Sequence, residues 1–126
     1  MLSFVVRPEG TLLDGTPLGD AIREIDDDTD PAPLSYSINC VHANVALQAL
    51  LRIPATLRTR VLAFQGNTSS LPPEEVDGLA HLDSMDAQPF AAAVIALTRQ
   101  TGIRMVGGFC GTDGRHIDAV ARAITR

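Results

Sequence analysis

The sequence predicts an α/β fold built from four βα units in series, and three observations carry that prediction. Four short runs rich in apolar residues recur along the chain, at Leu2–Val6, Leu34–Asn39, Arg60–Gln65 and Ile103–Val106, and each is followed by a stretch with helical periodicity. The runs read as largely continuous apolar segments rather than strict alternations, as strands of a parallel sheet do. With 126 residues, 45% of them hydrophobic, the chain has enough length and apolar content for one core. Alternating β and α elements imply a parallel sheet with right-handed crossovers. Four units make either a small open sheet or half of an eight-stranded barrel, which takes about 250 residues.

Each element has a local reason. Arg7 to Gly15 is a loop with Pro8, Gly10 and an Asp14-Gly15 turn signal. Thr16-Pro17 then opens a helix, Thr16 as N-cap and Pro17 at the first helical position, with Leu18, Ala21, Ile22 and Ile25 as its apolar stripe. The run Asp26-Asp27-Asp28-Thr29-Asp30-Pro31 ends that helix and reads as a solvated acidic surface, since it lacks the glycine and the distal glutamate of a calcium loop. Val45 to Arg52 lies in the second helix. The third strand breaks into Gly66-Asn67-Thr68-Ser69-Ser70, and a long loop from Leu71 to Asp86 carries Pro72, Pro73, Glu74, Glu75 and Asp77. Phe90, Ala93, Val94 and Leu97 mark the next helix, just after Pro89. After the fourth strand, Gly107-Gly108-Phe109-Cys110 turns into a last helix with Ile117, Val120, Ala121 and Ile124 on one face, capped by Thr112 or Asp113.

Composition excludes several functions. The net charge of −5 with no Lys or Arg cluster argues against nucleic acid as a partner. No apolar run reaches the ~18 residues that span a bilayer, and the N-terminal stretch has no signal-peptide pattern, so a cytoplasmic protein with reduced thiols is expected. The whole of residues 1–126 reads as one domain.

The chemistry concentrates on two cysteines. Cys40 and Cys110 each end a strand-like run and each precedes a helix, which is where ligands gather in α/β folds. Asn39, Asn67, His42 and His116 lie close to them in sequence or in equivalent turns. Taken alone, the cysteines read equally as small buried hydrophobes, and the asparagines as turn and capping residues.

Three segments, Ser37-Ile38-Asn39-Cys40-Val41-His42, Gly66-Asn67-Thr68-Ser69-Ser70, and Gly107-Gly108-Phe109-Cys110-Gly111-Thr112 with Arg115-His116-Ile117, resemble the homocysteine S-methyltransferase family in that order. The leading Ser3-Phe4 and Asp14-Gly15-Thr16-Pro17-Leu18 are also similar to it. The resemblance covers essentially the whole chain but only the family's second half. It implies the last four βα units, the C-terminal half of a (β/α)8 TIM barrel.

The reaction it implies is methyl transfer from a donor such as S-methylmethionine, a betaine or a folate to homocysteine, giving methionine. In that family three cysteines hold a zinc. The resemblance carries two of them onto Cys40 and Cys110, as metal ligands; the third position falls on Phe109, which cannot ligate. A catalytic zinc keeps one of four positions for substrate, here the homocysteine sulfur, so the lost ligand weakens the expected zinc site. His42 is a weaker candidate to replace it, and His116 reads as structural. Asn39 and Asn67 are the candidate substrate-binding residues. The expected partners are homocysteine, a methyl donor, and either a second copy of this chain, as a homodimer, or a separate chain carrying the N-terminal half. A non-catalytic half-barrel with a degraded zinc site is the alternative. The inward layers of Leu2–Val6, Leu34–Ile38, Val61–Phe64 and Ile103–Val106 would then be an exposed apolar surface.

Overall fold

The computed structural model describes residues 1–71, 74–75 and 85–125. Among them the chain runs β1 (Leu2–Phe4), α1 (Leu18–Asp28), β2 (Tyr36–Val41), α2 (Ala43–Leu51), α3 (Ala55–Arg58), β3 (Val61–Gly66), α4 (Ala87–Gln100), β4 (Met105–Gly108) and α5 (Gly114–Ile124). The four strands form one parallel sheet in the order β1-β2-β3-β4, as the alternation of elements requires. The expected α/β class is therefore correct. Pro72, Pro73 and Asp77 of the long loop lie outside the described residues.

Strand pairing fixes the two faces. Phe4, Ile38, Phe64 and Val106 stand in register across the sheet and belong to, or pack on, the buried core with Leu18, Ile22, Ala46, Leu50, Phe90, Val94 and Val120 from the helices. Sequential strand order with right-handed crossovers puts successive helices on the same face. The opposite phase carries Ser3, Ser37, Ala63 and Met105 in one row and Asn39, Gln65 and Gly107 in the next. None of these joins the core cluster. The inner layer expected to be apolar and exposed is thus mostly small or polar, with Met105 the exposed apolar exception and with Ser37 and Ala63 buried. Apart from Met105, the bulky apolar residues in these rows point to the helices, because that side has a layer to bury them.

Several boundaries move, each for a local reason. β2 starts at Tyr36, and Leu34 is 91% exposed rather than a strand residue. The Arg60 guanidinium donates to the carbonyls of Leu34 and Pro33, taking acceptors a strand neighbour would use. β1 stops at Phe4; Val6 is buried but bridges antiparallel to Leu12, inside a loop closed by Arg7 N–H donating to the Thr11 carbonyl. The N-cap of α1 is Pro17, not Thr16. The Thr16 N–H is taken by Asp14 Oδ1 and its carbonyl by Leu12, while Leu18 N–H finds the Gly10 carbonyl.

The acidic run is not uniformly solvated. α1 continues to Asp28, and Asp26 turns inward to accept from Arg60 Nη2 at 2.8 Å, Arg60 Nε at 3.1 Å and the Tyr36 hydroxyl at 2.8 Å. The Arg60 guanidinium also lies over the Tyr36 ring, 5.3 Å from its centre. These contacts tie the end of α1 to the first residues of β2 and the chain entering β3.

Candidate functional site

Beyond the ends of β2, β3 and β4 the backbone ladder continues for a few residues. Asn67 N–H donates to the Val41 carbonyl, Phe109 N–H to the Gly66 carbonyl, and Thr68 N–H to the Cys110 carbonyl. Asn67 therefore sits in the middle lane, between the Cys40 lane and the Cys110 lane. Its side chain is used on both sides. Nδ2–H donates to Cys40 Sγ at 3.7 Å, and Oδ1 accepts from Cys110 N–H at 3.1 Å. At 2% exposure the amide has little access to solvent. The structure thus brings Cys40, Asn67 and Cys110 together at the C-terminal end of the sheet.

Both cysteines are free thiols, Cys40 half-buried and Cys110 exposed. Their strands are two lanes apart, about 9–10 Å, which exceeds the Cα separation a disulfide spans. Cys40 has φ of 60°, the left-handed region that residues with a Cβ avoid. It falls where the β2–β3 register slips between Asn39 and Val41. The slip breaks the alternation, so Cys40 is released from both faces of the sheet.

The last turn is tight. A Cβ on Gly108 would meet Thr112 Cβ at 2.7 Å, and Thr112 Oγ1–H donates to the Phe109 carbonyl at 2.7 Å. Only a residue without a Cβ fits there. Gly111, at φ of 83°, completes the reversal into α5. Phe109 is 42% exposed at this end of the sheet. Asn39 is on the uncovered face instead, where its Oδ1 accepts from the Ser3 hydroxyl at 2.6 Å.

The two histidines have different places. His42 is the N-cap of α2, its Nδ1 accepting from Asn44 N–H at 3.1 Å. Burial pushes its pKa below the usual imidazole value. His116 closes the start of α5: its Nδ1 accepts from Asp113 N–H, and its Nε2–H donates to the Met85 carbonyl at 2.8 Å. Its ring meets Phe90 edge-on, with centres 5.5 Å apart. The expected structural role of His116 is what the contacts describe. Asp113 caps α5 by accepting from Arg115 N–H, and Arg115 holds its carboxyl well below the usual carboxylate range.

Sequence reasoning picked out Cys40, Cys110, Asn39 and Asn67 but not the bridge that Asn67 makes. The available signal was an asparagine directly after the glycine ending the central strand. Among the described residues there is no group of three or more His, Cys, Asp or Glu side chains that could hold a metal ion. No helix among them is long and apolar enough to cross a membrane.

Compared with known proteins, residues 1–124 match the family model described as homocysteine S-methyltransferase. No curated protein and no solved structure matches the chain. With nearly every residue inside that match, from the strand-ending Cys40 to the glycine turn before Cys110, the chain belongs to the homocysteine S-methyltransferase family.

Proposed function

We propose that the chain forms four consecutive βα units of a (β/α)8 barrel that transfers a methyl group to the sulfur of homocysteine, giving methionine, once four further units close the sheet. The observation that carries this reading is the meeting of Cys40 and Cys110 on Asn67 at the C-terminal end of the sheet. It is supported by the sequential strand order, which leaves β1 and β4 as open edges and one face without helices. In this reading Asn67 is a positioning residue that sets both cysteines through its amide. Asn39, oriented by the Ser3 hydroxyl on the uncovered face, is the substrate-binding residue.

Zinc is the group that family membership implies, and when bound it supplies a Lewis acid that keeps the homocysteine sulfur as thiolate. The donor set of this chain does not fit it. Only two cysteines are present, one meeting Asn67 through its sulfur and the other through its backbone N–H; Phe109 stands where the third is expected, and His42 spends Nδ1 on capping α2. The reading therefore assigns the missing donor, and the groups that hold the amino-acid part of the substrate, to the completing half. Positioning supplies a large share of such a barrier, so the chain alone is inactive.

Two completing halves are open to it: a second copy or a separate chain. The uncovered face favours the separate chain. Barrel interiors are filled mainly by bulky branched side chains, and two copies of a face whose only large members are Gln65 and Met105, beside Ser3, Ser37, Asn39, Ala63 and Gly107, would leave the interior underfilled. Phe109 favours a second reading, a non-catalytic subunit of the same architecture.

The test is methionine formation from homocysteine with S-methylmethionine, betaine or a methyl-folate. The chain is assayed alone and mixed with a chain carrying the other four units, with light scattering on each sample. Activity in the mixture only is the expected result. Turnover by the chain alone overturns the completion argument. A stable, inactive mixture supports the second reading.

A further inference from the structure

A second concave site lies on the other side of Val41 from Cys40. It is a cavity of about 50 Å3 at the C-terminal ends of β1 and β2, with apolar walls from Val6, Val41, Val45 and Leu71, and with Arg7, His42 and Ser70 as polar lining. A single water needs about 10–15 Å3 measured this way, so there is room for several heavy atoms.

His42 is 1% exposed, and its Nδ1 accepts from Asn44 N–H. That bond fixes the neutral tautomer, so the proton sits on Nε2. Nε2 is the one buried side-chain nitrogen or oxygen among the described residues with no hydrogen-bond partner. Leaving such a donor unpaired is unfavourable, and a bound acceptor would remove that cost. Two polar features at the cavity favour an electron-rich oxygen. His42 caps the N-terminal, positive end of the nine-residue α2. The Arg7 guanidinium is held beside the cavity by the Glu74 carboxylate, which occupies one of its donors and leaves others. Ser70 adds a hydroxyl to the lining, and the rest of the wall is apolar.

We propose that this cavity is a binding site for a short-chain aliphatic carboxylate. The carboxylate accepts from His42 Nε2–H and faces Arg7, and its alkyl part packs on Val6, Val41, Val45 and Leu71. The site is separate from the cysteine pair, and it holds whether or not the chain takes part in methyl transfer.

The probe is sodium propionate, titrated into the full chain while the His42 ring 15N signals are followed by NMR, with 1-propanol as the uncharged control. A saturable shift of Nε2 with propionate and a much smaller one with propanol is expected. His42→Asn keeps an N-capping side chain but lacks the Nε2–H, and should weaken propionate binding about tenfold or more. No saturable Nε2 shift in the unmodified chain overturns the proposal. So does equal binding by propanol, or undiminished binding by a folded His42→Asn chain. If that variant fails to fold, the Nε2 signal of the unmodified chain decides: movement with propionate supports the site and no movement overturns it.

Discussion

Replacing Asp26 by alanine should unfold the domain well below its normal temperature. Asp26 accepts three hydrogen bonds, two from Arg60 and one from the Tyr36 hydroxyl. The side chains of Asp26 and Arg60 are each about a quarter exposed, at 25% and 29%, so that pair counts for only about 0.5–1 kcal/mol after solvent screening. Tyr36 is fully buried, and a stranded hydroxyl there costs about 1–3 kcal/mol. Together the loss comes to about 1.5–4 kcal/mol. At about 2.1 cal/mol/K per residue, a 126-residue chain has a melting entropy near 0.26 kcal/mol/K, so Tm should fall by about 6–15 °C.

The assay is urea denaturation followed by circular dichroism, with unchanged slope and lower midpoint expected. Asp27→Ala, on the exposed side of the same helix turn, is the control and should stay within about 0.5 kcal/mol. Acid has the same effect as the substitution. Arg60 and Tyr36 hold the Asp26 carboxyl below its ordinary pKa of 3.8. The folded state therefore prefers the ionised form. The contribution is complete above that ordinary value and is lost as pH falls through the depressed one, a loss that Asp26→Ala should abolish. At the alkaline end, Tyr36 is pushed up to about 12 by burial and by Asp26, so its share is complete below 10 and lost between there and about 12. Equal stability of Asp26→Ala and Asp27→Ala would refute the idea that this network fastens α1 to the sheet.

Three other outcomes follow from the strand ends. Asn67→Ala should cost about 1–2 kcal/mol by urea denaturation, because it removes the acceptor of Cys110 N–H and the donor to Cys40 Sγ. It should also raise the rate at which Cys40 reacts with a thiol reagent. Gly108→Ala should destabilise by about 1–3 kcal/mol through contact with Thr112 Cβ, and Thr112→Gly in the same chain should recover part of the loss; no recovery would point to a different obstruction. Phe109→Cys should bind zinc far more tightly than the unmodified chain, read by competition with a chromogenic chelator. Equal, stoichiometric zinc in both would show that another residue completes the donor set.

The order of elements was legible because periodicity reports directly on burial: Leu18, Ile22, Phe90, Val94 and Val120 fall on the faces their spacing assigns them. Strand boundaries were less so. Leu34 reads as a strand residue on hydropathy, but the Arg60 side chain, 26 residues further on, takes its carbonyl. No local pattern announces a partner that distant. Thr16 has the right chemistry for a cap and lost it to the Gly10 carbonyl, which the preceding loop brings to Leu18 N–H. The polar face of the sheet was hidden because runs such as Tyr36-Ser37-Ile38 and Leu62-Ala63-Phe64 look continuous until pairing separates their two phases. At the site, the strand-ending cysteines could be found by position. The double use of Asn67 depends on three lanes lying side by side, which one lane's sequence does not encode.

The left-handed backbone at Cys40 has a consequence for how this chain tolerates change. Glycine adopts that conformation freely, whereas cysteine there costs about 1–2 kcal/mol. An unbiased library screened only for thermal survival should therefore enrich Cys40→Gly. A library screened for thiol-dependent function should reject the same change. Disagreement between the two screens at this single position would mark a residue that selection holds in a conformation its own backbone disfavours, for the sake of its sulfur.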